Sequence, residues 1–426
     1  MKSFKKFYSR INEKAEWAAD LHEPITAALL TKQSDDLLDK CDKDTYTPEE
    51  LKDILNTLKN NGSVDDVVGM SDKDKQSFDD DTQLPEIGQA ISAAKSIKDK
   101  FGKIDKVYMT GKTWDKDIEK FKLTKYGMKD FNSSDVVVKN DNSFLGVSLK
   151  KKQSETAKDP TLLNKSFSDL LLSAPSENIS GIIKELNNKQ KEAFVKILSN
   201  PKVKDDILKE LTVKNGYSNE LIDYVTTTLN DKNLLSDGNT WAKVLGSSVD
   251  TGILNKNSKV KDNIRNIIND RLKTKDSFLS DIEDVIEKPE FAEFIGNSLV
   301  ELLFKGSLQE LKKLDFDFAL CTGIAKLSKT KGITVKNAEY KELDTMLSKI
   351  NDLAKDGKPI LMLKGGKRFN FTGDEKATAA KINAILRIGN IDVADIEIRY
   401  KGKYTAYPQI LGTMTDSFKK LLASSH

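Results

Sequence analysis

Apolar residues recur at two spacings along this chain, and the switches between them mark its regions. Up to about residue 80 the spacing is helical in a polar background. Thr47-Pro48-Glu49-Glu50 is a helix start, with a Thr cap, Pro at the first helical position and Glu three residues after the cap. Leu51, Ile54, Leu55 and Leu58 supply its apolar face. At the very start Phe4, Phe7, Ile11 and Ala15 form one stripe, which packs on its own domain or docks on a partner. Gly69 to Gln83, with five Asp, reads as a linker. Ile87, Ala90, Ile91, Ala94, Ile97 and Phe101 then predict an amphipathic helix from Leu84, stopped by Gly102. A short apolar run at Val107 to Met109, a mixed segment with Trp114, Ile118 and Phe121, and two β-rich runs follow. The expected order is helix, strand, helix, two strands.

From Pro160 to about Leu311 the pattern is almost entirely helical, with Asn, Pro and Gly breaks and no fixed-period repeat. Strand character returns at Phe316 to Cys321, Pro359 to Leu363, Arg368 to Phe371 and Asp395 to Tyr400, and Lys376 to Arg387 is expected to be a helix between them. Four regions result: a helical 1–80, an α/β core over 84–158, a helical domain or insertion over 159–311, and an α/β region over 312–426 that completes the core or stands beside it.

Residues 133–152, SSDVVVKNDNSFLGVSLKKK, hold the most specific pattern. Asn140-Asp141-Asn142-Ser143 is a turn cluster between the two β-rich runs. With Asp141 and Asn142 as loop residues, Asn140 faces Ser143, and counting outward sets Asp135 opposite Ser148. One face then carries Val136, Val138, Leu145, Val147 and Leu149. The other carries Asp135, Val137, Lys139, Phe144, Gly146, Ser148 and Lys150, a small polar site beside a Gly that admits close approach. A one-residue slip would separate these side chains.

Composition narrows the chemistry. The 426 residues hold 69 basic and 66 acidic side chains, a net charge of +3, so attraction to nucleic acid depends on local patches. The only histidines, His22 and His426, argue against Ser-His-Asp and zincin mechanisms. Cys41 and Cys321 have no paired spacing, which argues against a disulfide framework or a Cys-rich zinc site and for a reducing compartment. No apolar run approaches the ~20 residues of a membrane span, and the opening segment lacks a signal-peptide centre. A cytoplasmic location, without membrane association, is the expectation.

The hairpin resembles that of the PD-(D/E)XK, or restriction-endonuclease-like, nucleases, phage-type members included. That family places an Asp on one hairpin strand and, on the next, an acid followed two residues later by Lys. Asp135 matches the first Asp, and Ser148-Leu149-Lys150 stands at the second position with Ser where an acid is usual. The resemblance covers mainly residues 84–152, and DIEIRYKGKYTAYPQ near the C-terminus is a candidate to complete the same domain. It implies an α/β (α+β) core, a mixed sheet flanked by helices, beside the helical middle region. It further implies a Mg²⁺- or Mn²⁺-dependent deoxyribonuclease with Asp135 on the metal, Lys150 acting on the water and Ser148 at most hydrogen-bonding. Members often carry a metal-contacting Glu on a preceding helix, for which Glu86 is the candidate; a helix-start acid favoured by the macrodipole is the plainer account of it. Implied partners are DNA and, beyond it, a second copy or virion proteins. Host-cell cytoplasm or the virion is then the implied location. The competing class is a non-catalytic DNA-binding or virion-associated structural protein that keeps the fold.

Further basic candidates for DNA contact are Lys151 and Lys152 in the lysine run, and Arg399, Lys401 and Tyr404 in a stretch that interleaves bases with aromatics. The plainer account of that stretch is an ordinary strand and loop with tyrosines packed at its edge. Gly111-Lys112-Thr113 lacks the first Gly of a phosphate-binding loop, since Lys106 stands there. Gly365-Gly366-Lys367-Arg368 reads as a hairpin turn.

Overall fold

The computed structural model describes residues 21–80, 83–111, 114–123, 132–157, 163–166, 177–235, 259–260, 263–264, 266–267, 278–300, 310–328, 332–364, 381–399 and 409–424. The chain opens with α1 (His22–Leu29), a short strand β1 (Thr45–Tyr46) and α2 (Pro48–Asn60). The expected cap on α2 forms reciprocally: Glu50 N–H donates to Thr47 Oγ1 at 3.2 Å and Thr47 N–H to Glu50 Oε2 at 2.8 Å. The stretch read as a linker contains a short helix at Asp72–Ser77. Then come α3 (Leu84–Phe101), β2 (Lys106–Met109), β3 (Val136–Asn140) and β4 (Ser143–Lys152). Between β2 and β3 the described residues hold only a single 3₁₀ turn, Glu119–Phe121, where a helix was expected.

The next segment has β5 (Leu163–Ser166), α4 (Glu177–Leu198), α5 (Pro201–Glu210), α6 (Asn219–Asn230), α7 (Phe278–Ile286) and α8 (Pro289–Val300). The last has β6 (Phe316–Ser328), β7 (Gly332–Glu342), α9 (Leu343–Asp356), β8 (Pro359–Leu363), β9 (Lys381–Ile388), β10 (Ile391–Arg399), β11 (Gln409–Met414) and α10 (Asp416–Ala423).

These elements form two units, Met1–Pro160 with Phe304–Lys349, and Thr161–Leu303 with Ile350–His426. The first is built on a mixed six-stranded sheet in the order β1-β7-β6-β4-β3-β2. Strands β2, β3 and β4 are an antiparallel meander, and β6 lies parallel to β4. A parallel neighbour requires a crossover, and here the second unit's residues 161–303 lie within it. The chain is thus mixed α/β, as expected.

Apolar residues pack on both faces of the β2-β3-β4-β6 part of this sheet. On one, Ile87, Ala90, Ile91, Ala94 and Ile97 of α3 join Val136, Val138, Leu145, Val147 and Leu149 in a single core. On the other, Val137 and Phe144 pack with Tyr108, Trp114, Ile118, Phe121, Phe316, Phe318 and Leu347. The second face is therefore less open than the hairpin alone suggested, because its cover comes from residues remote in sequence. Gly146 is explained by that cover and not by substrate approach: a Cβ there would stand 2.2 Å from Ser134 Oγ and 2.5 Å from the Phe316 ring.

The second unit has an antiparallel five-stranded sheet, β5-β11-β10-β9-β8. Three expectations are corrected here. Residues 381–387 of the expected helix are strand, because Ile382, Ala384, Leu386 and Ile388 are buried at a spacing of two. The helical middle contributes a strand, β5, paired to β11. Asp395 to Arg399 belong to β10 in this sheet and do not complete the hairpin's sheet, a place taken by β6 and β7. Arg368–Phe371 and Gly365-Gly366-Lys367-Arg368 lie outside the described residues, as do Phe4, Phe7, Ile11 and Ala15.

Candidate functional site

The hairpin forms in the register counted from its turn. Val136 pairs with Val147 and Asn140 with Ser143, while Asp141 turns the corner with φ of 48°. That register ends at Val136: Asp135 N–H also reaches the Val147 carbonyl, at 2.9 Å, so Asp135 shares Val147 with Val136 in a bulge instead of standing directly opposite Ser148 as counted, while towards β2 the Asp135 carbonyl accepts from Thr110 N–H at 3.2 Å. Just before it, Ser134 Oγ donates to Asn132 Oδ1 at 2.6 Å, and Asn132 Nδ2 donates to the Phe121 carbonyl at 2.9 Å. Backbone and side chains thus fix where Asp135 enters the strand.

Three donors meet on one oxygen. Asp135 Oδ2 accepts from Leu149 N–H at 2.6 Å and from Ser148 Oγ at 3.2 Å, and Lys150 Nζ lies 3.5 Å away. Lys150 Nζ also donates to Ser148 Oγ at 2.8 Å and to the Leu149 carbonyl at 2.9 Å. Asp135 and Lys150 are each 24% exposed in their side chains, so the pair sits at the rim of the closed face. Burial raises the Asp135 pKa above the ordinary carboxylate range, although Lys150, Leu149 N–H and Ser148 all pull it down.

Glu86 is not part of this cluster. Consecutive strand residues point to opposite faces, and Lys151, on the side of α3, pairs with Glu86 Oε1 at 2.5 Å. Glu86 Oε2 accepts from Leu21 N–H at 2.9 Å. It therefore ties α1 and β4 to α3 behind the sheet. Lys152 returns to the Asp135 side, buried, with Nζ 2.8 Å from Glu339 Oε1. Arg399 is in the second unit, where its Nε lies 2.8 Å from Glu397 Oε1. Lys401 and Tyr404 lie outside the described residues. Glu339 was missed because nothing local to β7 signals it; for Lys152, its even spacing from Ser148 and Lys150 was the available clue.

For a divalent cation the donor set is hard oxygen of the Mg²⁺ type, with Asp135 as its one carboxylate. All three contacts fall on Oδ2, so Oδ1 takes no hydrogen bond from the described residues. No group of three or more His, Cys, Asp or Glu converges among the described residues. That set fits an ion held by one carboxylate together with water and a substrate phosphate, the common mode for Mg²⁺, and does not fit a closed protein cage.

No protein-family model, curated protein or solved structure matches this chain. Among the described residues no helix is long and apolar enough to cross a membrane.

Proposed function

We propose that this chain is a metal-dependent endonuclease-like protein that hydrolyses DNA phosphodiester bonds at the Asp135 face. One observation carries the reading: Ser148 Oγ, Leu149 N–H and Lys150 Nζ meet on Asp135 Oδ2 where the chain enters β3 beside β4. A carboxylate and an ammonium side by side on a half-closed face can divide the work of phosphodiester hydrolysis. Lys150 donates to a phosphate oxygen or to the attacking water, and Ser148 holds the lysine amine in place. Asp135, whose Oδ1 takes no hydrogen bond from the described residues, would hold Mg²⁺ or Mn²⁺, which when bound offsets phosphate charge and lowers the pKa of a water.

A second reading has its own support. Lys150, Lys151 and Lys152 are all ion-paired to acids of the same unit, and Ser148 adds no negative charge. Those pairings favour a non-catalytic DNA-binding or virion-associated structural protein. Supercoiled and linear DNA incubated with the protein in Mg²⁺, Mn²⁺ or EDTA separates the two. Nicking that requires metal and disappears in Asp135→Ala is the result expected of the nuclease. No cleavage with any ion, together with salt-sensitive retention of DNA, would establish the binding protein instead.

A further inference from the structure

The Asp135 face holds a second carboxylate that the hairpin motif does not supply. Thr322 of β6 is in register with Lys150, and Glu339 of β7 is in register with Thr322. Thr322 is buried and turned to the same side, since its neighbour Cys321 points back at the Ala93 carbonyl of α3. Lys150, Thr322 and Glu339 therefore form one row across three strands.

Lys152 holds the end of that row. Its side chain is 3% exposed and its Nζ is 2.8 Å from Glu339 Oε1, while the Glu339 side chain remains 31% exposed, with Oε2 4.0 Å from Lys341 Nζ. The alignment depends on an irregularity between Thr322 and Ile324, which re-aims the neighbouring side chains. Helix α3 fixes that irregularity from behind. Gln89 Nε2 donates to the Lys152 carbonyl at 2.8 Å, and Ser92 Oγ accepts from Ile324 N–H at 3.1 Å while donating to the Lys336 carbonyl at 2.7 Å. Gly323 is required there, because a Cβ would stand 2.1 Å from the Gln89 carbonyl oxygen.

With its ammonium buried and its carboxylate part-exposed, the Lys152–Glu339 pair is set against the desolvation of the lysine and is weak evidence for a stabilising role alone. Building on the phosphodiester reading, we infer that Glu339 is the second acid of the site and Lys152 the residue that positions it. A phosphodiester at part-exposed Lys150 has Asp135 on one flank and, across the buried Thr322, Glu339 on the other. Three strand spacings of roughly 4.7–4.9 Å separate β3 from β7, too far for both carboxylates to chelate one ion. Glu339 instead takes the proton of the attacking water. The water oxygen bonds to phosphorus, its proton passes to Glu339, the bond from phosphorus to the leaving sugar oxygen breaks, and that oxygen is protonated from solvent.

The test combines metal-free DNA binding with Mg²⁺-dependent cleavage in one set of full-length variants. In EDTA, Glu339→Gln removes a negative charge beside the phosphates and should tighten binding of a short duplex by about threefold, with a matching change in salt dependence. Asp42→Asn, on the α3 side of the sheet with 88% side-chain exposure, should leave binding unchanged. With Mg²⁺, Glu339→Gln should lower kcat by about 100-fold and flatten the acid limb of the pH profile, with KM held within about twofold. Lys152→Met should lower kcat less, and Lys152→Arg should recover it. Because Glu339→Gln removes the ion pair of a buried lysine, the double variant Lys152→Met with Glu339→Gln keeps the measurement available if the single variant unfolds; it should bind tightly in EDTA and remain inactive. Wild-type binding in EDTA by both Glu339 variants, or wild-type cleavage by either, would overturn the inference while leaving the nuclease reading standing. A wild-type protein that fails to cleave with either Mg²⁺ or Mn²⁺ would overturn the nuclease reading and the proton-accepting role with it.

Discussion

The two sheets carry their charges under opposite conditions. In the second unit, Lys364 with Asp395, Lys381 with Glu397 and Arg387 with Asp392 form ion pairs whose side chains are 20–54% exposed, on the face opposite the buried Ile382, Ala384 and Leu386. Such pairs keep most of their hydration and contribute little. In the first unit both faces are packed, yet Asp135, Lys150, Lys152 and Glu339 are set into one of them, with Lys152 only 3% exposed in its side chain. Charges placed where desolvation is costly call for an explanation that charges on an open strand face do not.

Three substitutions test that contrast. The largest effect on stability is expected from Gly146→Ala, which drives a methyl into Ser134 Oγ and the Phe316 ring on the closed face. Overpacking of this kind costs about 1–3 kcal/mol, readable as a lowered urea midpoint at unchanged slope. Insensitivity to this substitution would mean that the face is open after all.

Asp135→Asn gives a smaller and pH-dependent effect. Burial raises the Asp135 pKa in the folded state. The folded protein therefore binds more protons than the unfolded chain between the two pKa values, and this group's contribution to stability falls as pH rises through that window. The Asn variant lacks the dependence, so its stability relative to wild type should increase with pH across the carboxylate range while cleavage is lost. A relative stability that decreases over that range would show that Lys150 outweighs burial at this carboxyl. Smallest of all is Lys364→Ala in the second unit, whose partner Asp395 is half exposed; thermal unfolding should move by no more than about 0.5 kcal/mol.

How far the sequence revealed this arrangement depends on how local each signal is. The hairpin register was legible because Asp141-Asn142 fixes the turn and strand pairing then follows by counting. The helix over Leu84 to Phe101 was legible from its apolar spacing and Gly102. What covers the Asp135 face was not, because Trp114, Ile118, Phe316, Phe318 and Leu347 reach it from separate segments. Glu86 was placed by motif on the wrong side of the sheet, although strand parity was available: Lys151, its partner, is one residue out of phase with Lys150. For Lys381 to Arg387 the spacing of two in Ile382, Ala384 and Leu386 was the stronger signal, hidden by the helix-favouring alanines before it. The role of Glu339 depends on β6 and β7 joining β4, a non-local pairing with no mark in either strand's own residues.

If the proposed function holds, Asp135 and Lys150 act as one unit on a DNA phosphodiester. A double-mutant cycle on metal-dependent nicking of supercoiled DNA, with Asp135→Ala, Lys150→Ala and both together, tests it most directly. Each single substitution should remove nearly all cleavage, with the double variant no worse than the poorer single one; nicking that persists in Asp135→Ala, or losses that multiply, would contradict it.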